Sequence, residues 1–159
     1  MIIYADGACK GNPGLGGYGV VIIKDNQIIY KHSEQCENTT NNREELKAIL
    51  HAFEYCQKIN EDCIIYSDSA YTVNMLNNWI FTWATNGWKN SKKQIVENID
   101  LVKALYKYIN IDFFNCQVVK CKGHANIIGN ELADALASNN INKWNKLIKD
   151  NSLDFIENL

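Results

Sequence analysis

Two stretches decide the fold: Ile-Ile-Tyr-Ala-Asp-Gly at residues 2–7 and Ile-Ile-Tyr-Ser-Asp-Ser at residues 64–69. Each is a short apolar run closed by an acid. Runs of this length suit strands covered on both faces. If the two near-identical strands lie side by side, Asp6 and Asp68 emerge at the same end of a sheet. Each acid also has a plain reading. Asp6 before Gly suits a turn, and Asp68 before Ser could cap a following helix.

Around these strands the chain reads as follows. Lys10-Gly-Asn-Pro-Gly-Leu-Gly-Gly (10–17) is a glycine-rich loop. Tyr18 to Lys24 and Gln27 to His32 are strands joined at Asp25-Asn26, a two-residue hairpin turn. Asn41 reads as an N-cap with Glu44 as its reciprocal partner, followed by Leu46, Ile49, Leu50, Phe53 and Cys56 at helical spacing. A short helix is expected over Ala70 to Trp79, and a longer one is marked by Ile95, Ile99, Val102 and Leu105. Phe113 to Val119 reads as a strand, and Asn130 to Ile141 as a helix with Leu132 and Leu136 inward. Lys143 to Leu159 reads as a polar, peripheral tail. A leading antiparallel meander followed by helix–strand alternation implies an α/β fold, a mixed sheet with helices against it.

Composition narrows the function classes. The chain has 159 residues, 47% of them hydrophobic, one Pro and no low-complexity linker, as expected of one domain. A net charge of −2 does not announce a nucleic-acid binder, so any such binding needs a local basic patch. No apolar run approaches the roughly 18 residues of a membrane helix, and the start lacks a signal-peptide pattern. A cytoplasmic, soluble monomer with no membrane role is expected. Six cysteines without a CxxC pair are expected to be reduced, structural thiols.

Glu45 stands at the start of the first long helix and Asp134 in the last one. Either could be unremarkable, Glu45 complementing a helix dipole and Asp134 facing solvent. Four carboxylates converging on one point would repel, and a hard divalent cation removes that penalty. Two ions roughly 3.5–4 Å apart can clamp the attacking and leaving oxygens of a phosphoryl displacement.

The chain resembles type 1 ribonuclease H over about residues 1–140. The matching runs are Tyr-Ala-Asp-Gly-Ala-Cys-Lys-Gly-Asn-Pro-Gly (4–14), Thr-Thr-Asn-Asn-Arg-Glu-Glu-Leu (39–46), Tyr-Ser-Asp-Ser-Ala-Tyr (66–71), Lys-Gly-His-Ala (122–125) and Gly-Asn-Glu-Leu-Ala-Asp (129–134). Five motifs in order are highly specific. The resemblance implies a ribonuclease H-like α/β fold: a five-stranded mixed sheet, strand order 3-2-1-4-5, helices on both faces. It implies a catalytic domain at 1–142 and a C-terminal polar extension at 143–159. It further implies hydrolysis of the RNA strand of RNA–DNA hybrids by two Mg²⁺ ions, with Mn²⁺ able to substitute, leaving 3′-hydroxyl and 5′-phosphate ends. Asp6, Glu45, Asp68 and Asp134 would hold the metal, Asp6 bridging both ions. His124 would handle protons and product release.

The same resemblance assigns substrate contacts. Asn12 and Asn41 match minor-groove contacts, and Thr40 and Arg43 a DNA phosphate pocket. Trp79, Trp83, Trp88 and Lys89 fall in the family's basic protrusion, which grips the DNA strand by stacking and lysine–phosphate contact. Core packing is the plainer reading for at least one of these tryptophans. The chain departs from the family in two places. Ala70 replaces a common Gln, and Ala84, Thr85 and Asn86 replace basic residues, so binding weaker than in basic relatives is expected. Two alternatives remain: a ribonuclease-H-like DNA nuclease of transposase or resolvase type, and a non-catalytic hybrid-binding domain.

Overall fold

The computed structural model describes residues 1–111, 115–123, 125 and 127–155. Strands β1 (Ile2–Cys9), β2 (Gly14–Lys24) and β3 (Gln27–Thr39) form the expected antiparallel meander. The β2–β3 turn falls at Asp25 and Asn26, both with positive φ (52° and 60°), the conformation that suits a tight hairpin. Helix α1 (Asn41–Ile59) leads to β4 (Cys63–Ser67), which pairs parallel with β1, and β5 (Cys116–Lys120) pairs parallel with β4. The order β3-β2-β1-β4-β5 is the expected one. A sixth strand, β6 (Asp154–Phe155), joins the outer edge of β3, so the sheet has six strands rather than five.

Register places the two acids. Ile2 is level with Ile64 and Tyr4 with Tyr66, and the two tyrosine rings stack at 5.5 Å. Asp6 and Asp68 lie two residues beyond that matched pair on their own segments. The sheet alternates its faces by the period of a strand. Ile3, Ala5, Val20 and Ile22 pack under α1 and α4 (Ile99–Ile109) with Phe53, Leu105 and Met75. Val21 and Ile28 face the other way, against α5 (Ile128–Ala137). Gly7 lies where α1 meets β1. A Cβ there would overlap the backbone of Glu44 and Glu45, so only glycine lets the first turn of α1 approach β1.

Several local expectations need correction. The cap of α1 is Thr40, not Asn41: its hydroxyl accepts from Arg43 N at 3.2 Å, while Asn41 N donates to Asn12 Oδ1 at 2.9 Å. The helix expected over Ala70 to Trp79 continues further, as α2 (Ala70–Asn74), a π-helical turn (Met75–Trp79) and α3 (Ile80–Thr85), and Ser69 rather than Asp68 caps it. Ile95 is exposed and precedes α4, bridging to Lys89 instead of sharing the helix. The strand expected over Phe113 to Val119 is described from Cys116 to Lys120; Phe113 lies outside the described residues. The last expected helix is two, α5 and α6 (Ile141–Asp150).

The tail is not peripheral. Trp144 and Leu153 are buried beside Val21, Ile28 and Leu132, with Leu147 and Ile148 packed at the edge. The spacing 144, 147, 148 is one helical face, masked in the sequence by Lys and Asn on the other face. Cys56 and Cys63 form a disulfide, whereas all six cysteines were expected to be reduced; Cys9, Cys36, Cys116 and Cys121 are free. Among the described residues no helix is long and apolar enough to cross a membrane.

Candidate active site

Three elements bring three acids together. Asp6 lies inside β1, which runs three residues past it to Cys9 instead of closing at the acid as expected, Glu45 is in the first turns of α1, and Asp68 immediately follows β4. One carboxylate oxygen from each lies within 4.8 Å of the others. Asp6 and Glu45 are each 4% exposed, while Asp68 is half-buried. Gly7 N donates to Asp6 Oδ1 at 3.0 Å, and Asn130 Nδ2 of α5 donates to Asp68 Oδ2 at 3.3 Å. Glu44, the other acid of the Glu-Glu pair, turns away into the core and accepts from Lys47 at 3.1 Å. Helical spacing alone did not separate Glu44 from Glu45; the structure does.

The electrostatics are those of like charges packed together, with no cation among the described residues named as acting on Asp6 or Glu45. Burial first, and then the charges of Glu45 and Asp68, push Asp6 up to about 10. Burial likewise pushes Glu45 up to about 8, although the hydrogen bond with Asp6 pulls the other way. The pair therefore holds on to a proton near neutral pH. Among the described residues, Glu45 Oε2 and Asn130 Oδ1 are buried without a hydrogen-bond partner at donor distance.

Asp134 stands apart from the group of three, on α5, but its charge still reaches Asp6 and Glu45. Its own partner is Lys143 of α6, whose Nζ lies 2.6 Å from Asp134 Oδ2 and 2.7 Å from Glu131 Oε2. Sequence reading missed Lys143, because nothing local signals an ion pair nine residues away and across a helix boundary. Asn130 was likewise missed as a partner of Asp68; it sits in the quoted Gly-Asn-Glu run, one helical turn before Asp134. His124 lies outside the described residues.

The expected substrate residues form a second zone. Asn12 is exposed and half-buried Thr40 is near it; with Asn42, Glu97 and Asn98 they line one cleft of about 410 Å³. Arg43 is engaged: its guanidinium makes a two-pronged contact with Asp100 at 3.1 and 2.8 Å, and reaches Asn98 Oδ1 at 3.2 Å. Trp79, Trp83 and Lys89 line an open cleft of about 440 Å³ with Thr82, Asn86 and Asn90. The Trp79 and Trp83 rings are 6.2 Å apart. Trp88 lies elsewhere, half-buried edge-on to Tyr106, with Lys103 Nζ 5.9 Å from its ring centre.

Known proteins resemble this chain in sequence and fold. The family model described as RNase H matches residues 1–142. A protein named Ribonuclease H from Caldicellulosiruptor saccharolyticus is 43% identical over 141 residues, covering 86% of this chain and 92% of the relative. One of the same name from Syntrophomonas wolfei is 43% identical over 143 residues, covering 89% and 95%. Among solved structures, LC9-RNase H1 superimposes with a TM-score of 0.76 at 23% identity, covering 98% of this chain and 85% of that one, a likeness of fold. LC11-RNase H1, solved in complex with an RNA/DNA hybrid, gives 0.63 at 25% identity, covering 89% and 96%. With a family match over most of its length and relatives above two-fifths identity, the chain belongs to the ribonuclease H family.

Proposed function

We propose that this protein is an endonuclease that hydrolyses the RNA strand of RNA–DNA hybrids, using Mg²⁺ held by Asp6, Glu45 and Asp68. The observation that carries the reading is the convergence of those three carboxylates from β1, α1 and the end of β4. The donor set fits a hard cation: every group offers oxygen, and among the described residues no N–H or O–H group other than the proton shared with Asp6 reaches Glu45 Oε2. The raised pKa values of Asp6 and Glu45 also fit, since positive charge is what the cluster lacks. Bound divalent ions lower the pKa of a coordinated water and offset charge on a reacting phosphate.

The chain's own residues then have distinct tasks. Asp6 and Glu45 must give up their shared proton to become ligands. Asn130 fixes the orientation of Asp68. Asp134 would serve a second ion once parted from Lys143, and His124 would handle protons and product release. Asn12 and Asn41 would face the minor groove, Thr40 and Arg43 a DNA phosphate, and Trp79, Trp83, Trp88 and Lys89 the DNA strand. The hybrid bound to LC11-RNase H1 supports this choice of partner. The products would carry 3′-hydroxyl and 5′-phosphate ends. The reading takes Mn²⁺ as a substitute for Mg²⁺, a cytoplasmic monomer, and a catalytic unit over 1–142 with an extension at 143–159 that supplies Lys143.

The test is cleavage of an end-labelled hybrid with Mg²⁺, beside Asp6→Asn. Cleavage of the RNA strand by the wild type alone is expected. Intact hybrid together with cleaved double-stranded DNA would sink the reading, as would equal cleavage by the variant.

A further inference from the structure

A second group of ligand atoms lies at the other end of the sheet. The Sγ atoms of Cys56, Cys63 and Cys116 all fall within 4.8 Å of one another. They come from three elements: the last turns of α1, the start of β4 and the start of β5. Cys63 and Cys116 are direct partners in the parallel register. Cys56 and Cys63 are buried, and Cys116 is half-buried beside a small cleft of about 60 Å³ that Asn60, Glu61, Asp62 and Asn115 also line. A disulfide between Cys56 and Cys63 uses two of the three sulfurs and leaves the convergence of the third unexplained.

We propose that, with the Cys56–Cys63 bond reduced, Cys56, Cys63 and Cys116 bind one thiophilic d¹⁰ cation, Zn²⁺, as a structural metal site. The donor geometry suits it. A tetrahedral ion with sulfur at about 2.3 Å sets its sulfurs roughly 3.8 Å apart, inside the spread already present. The cleft is too small for an organic ligand and leaves room for a water as fourth donor.

The chemistry balances. A thiol reductant supplies two electrons and two protons to the disulfide, and the ion then displaces up to three thiol protons. Each thiol must give up its proton to become a ligand, so binding releases protons. Sulfur donors here and oxygen donors at Asp6, Glu45 and Asp68 would sort a soft ion from a hard one. The two sites lie at opposite ends of β4, a strand of five residues and so on the order of 15 Å long. The ion would tie α1 to two parallel strands without touching the catalytic acids.

The experiment titrates Co²⁺ into the full chain, reduced with a non-chelating phosphine. Expected are thiolate-to-cobalt charge-transfer bands that saturate at one equivalent and vanish on adding one equivalent of Zn²⁺. Cys116→Ser should lower affinity about ten-fold or more, and Cys121→Ser, outside the cluster, should leave the titration unchanged. Should Cys116→Ser fail to fold, mass spectrometry of the alkylated wild type decides. Zn²⁺ should then slow labelling of Cys56, Cys63 and Cys116 but not of Cys9, Cys36 or Cys121. No charge-transfer band in the reduced wild type, an unaltered titration in a folded Cys116→Ser, or labelling insensitive to Zn²⁺ would overturn the site and leave a plain disulfide.

Discussion

Asp6→Asn should stabilise the metal-free protein while abolishing its catalysis. The size follows from linkage. The ordinary pKa of Asp6 is 3.8, and the fold raises it to about 10. Above pH 3.8 the unfolded chain gives up this proton and the folded chain keeps it. Stability is therefore fully present below the unfolded pKa and is lost as pH rises towards the folded one, at about 1.36 kcal/mol per unit per proton. Glu45 adds the same sign of slope between its ordinary 4.5 and about 8. Because the two groups share a proton, their losses do not simply add, and we take roughly 3 kcal/mol at pH 7 as what removing one charge recovers. Asparagine keeps the shape and can still donate to Glu45. For a chain of this size the gain corresponds to a rise of about 6–12 °C in Tm.

The assay is thermal unfolding in chelator between pH 7 and 9. His51 is held down at about 4, by burial and by the charge of His32, so its opposite slope ends near pH 6.5 and leaves this window clear. In that window the wild type should lose about 3 kcal/mol, and Asp6→Asn less, flattening above pH 8. Added Mg²⁺ should reverse the ranking, since binding stabilises only a protein that has a site, by about 1.4 kcal/mol per ten-fold excess over Kd. An Asp6→Asn protein that melts below the wild type in chelator, or a wild type that gains stability from pH 7 to 9, would refute the account of the carboxylate cluster.

Other outcomes follow from named contacts. Lys143→Met should cost about 1–2 kcal/mol in chelator, because Asp134 and Glu131 then face each other with a partner removed from a partly buried pair; urea unfolding with and without Mg²⁺ checks this, and Mg²⁺ should restore most of the loss. Trp144→Ala should cost about 3 kcal/mol, since its ring fills the second core against Val21 and Leu132; an unchanged urea midpoint would return the tail to the periphery. Phe53→Ala, in the main core, should cost about 3–5 kcal/mol by the same measurement. Arg43→Ala should weaken hybrid binding and lower the slope of log affinity against log salt by about 1; an unchanged slope would mean that Asp100 keeps Arg43 from the phosphate.

The sequence alone determined the strands that carry Asp6 and Asp68 and the antiparallel meander, because apolar runs, turn residues and helical spacing are local and strongly patterned; the strand order came from the family resemblance of the motifs. It also named Asp6, Glu45, Asp68 and Asp134 as one group, through motifs rather than through any visible distance, and the structure brings the first three together. Only the tertiary structure decided what depends on packing. Thr40 took the cap from Asn41 because Asn41 N is bound to Asn12 across the loop. The tail became core because three apolar residues in a polar helix find Val21 and Ile28 waiting on the sheet. Asp134 was drawn to Lys143 instead of into the group of three, and Cys116 was brought beside Cys56 and Cys63, by contacts between segments far apart in sequence. Such contacts are set by how helices settle on both faces of the sheet, and a one-dimensional pattern carries no record of them.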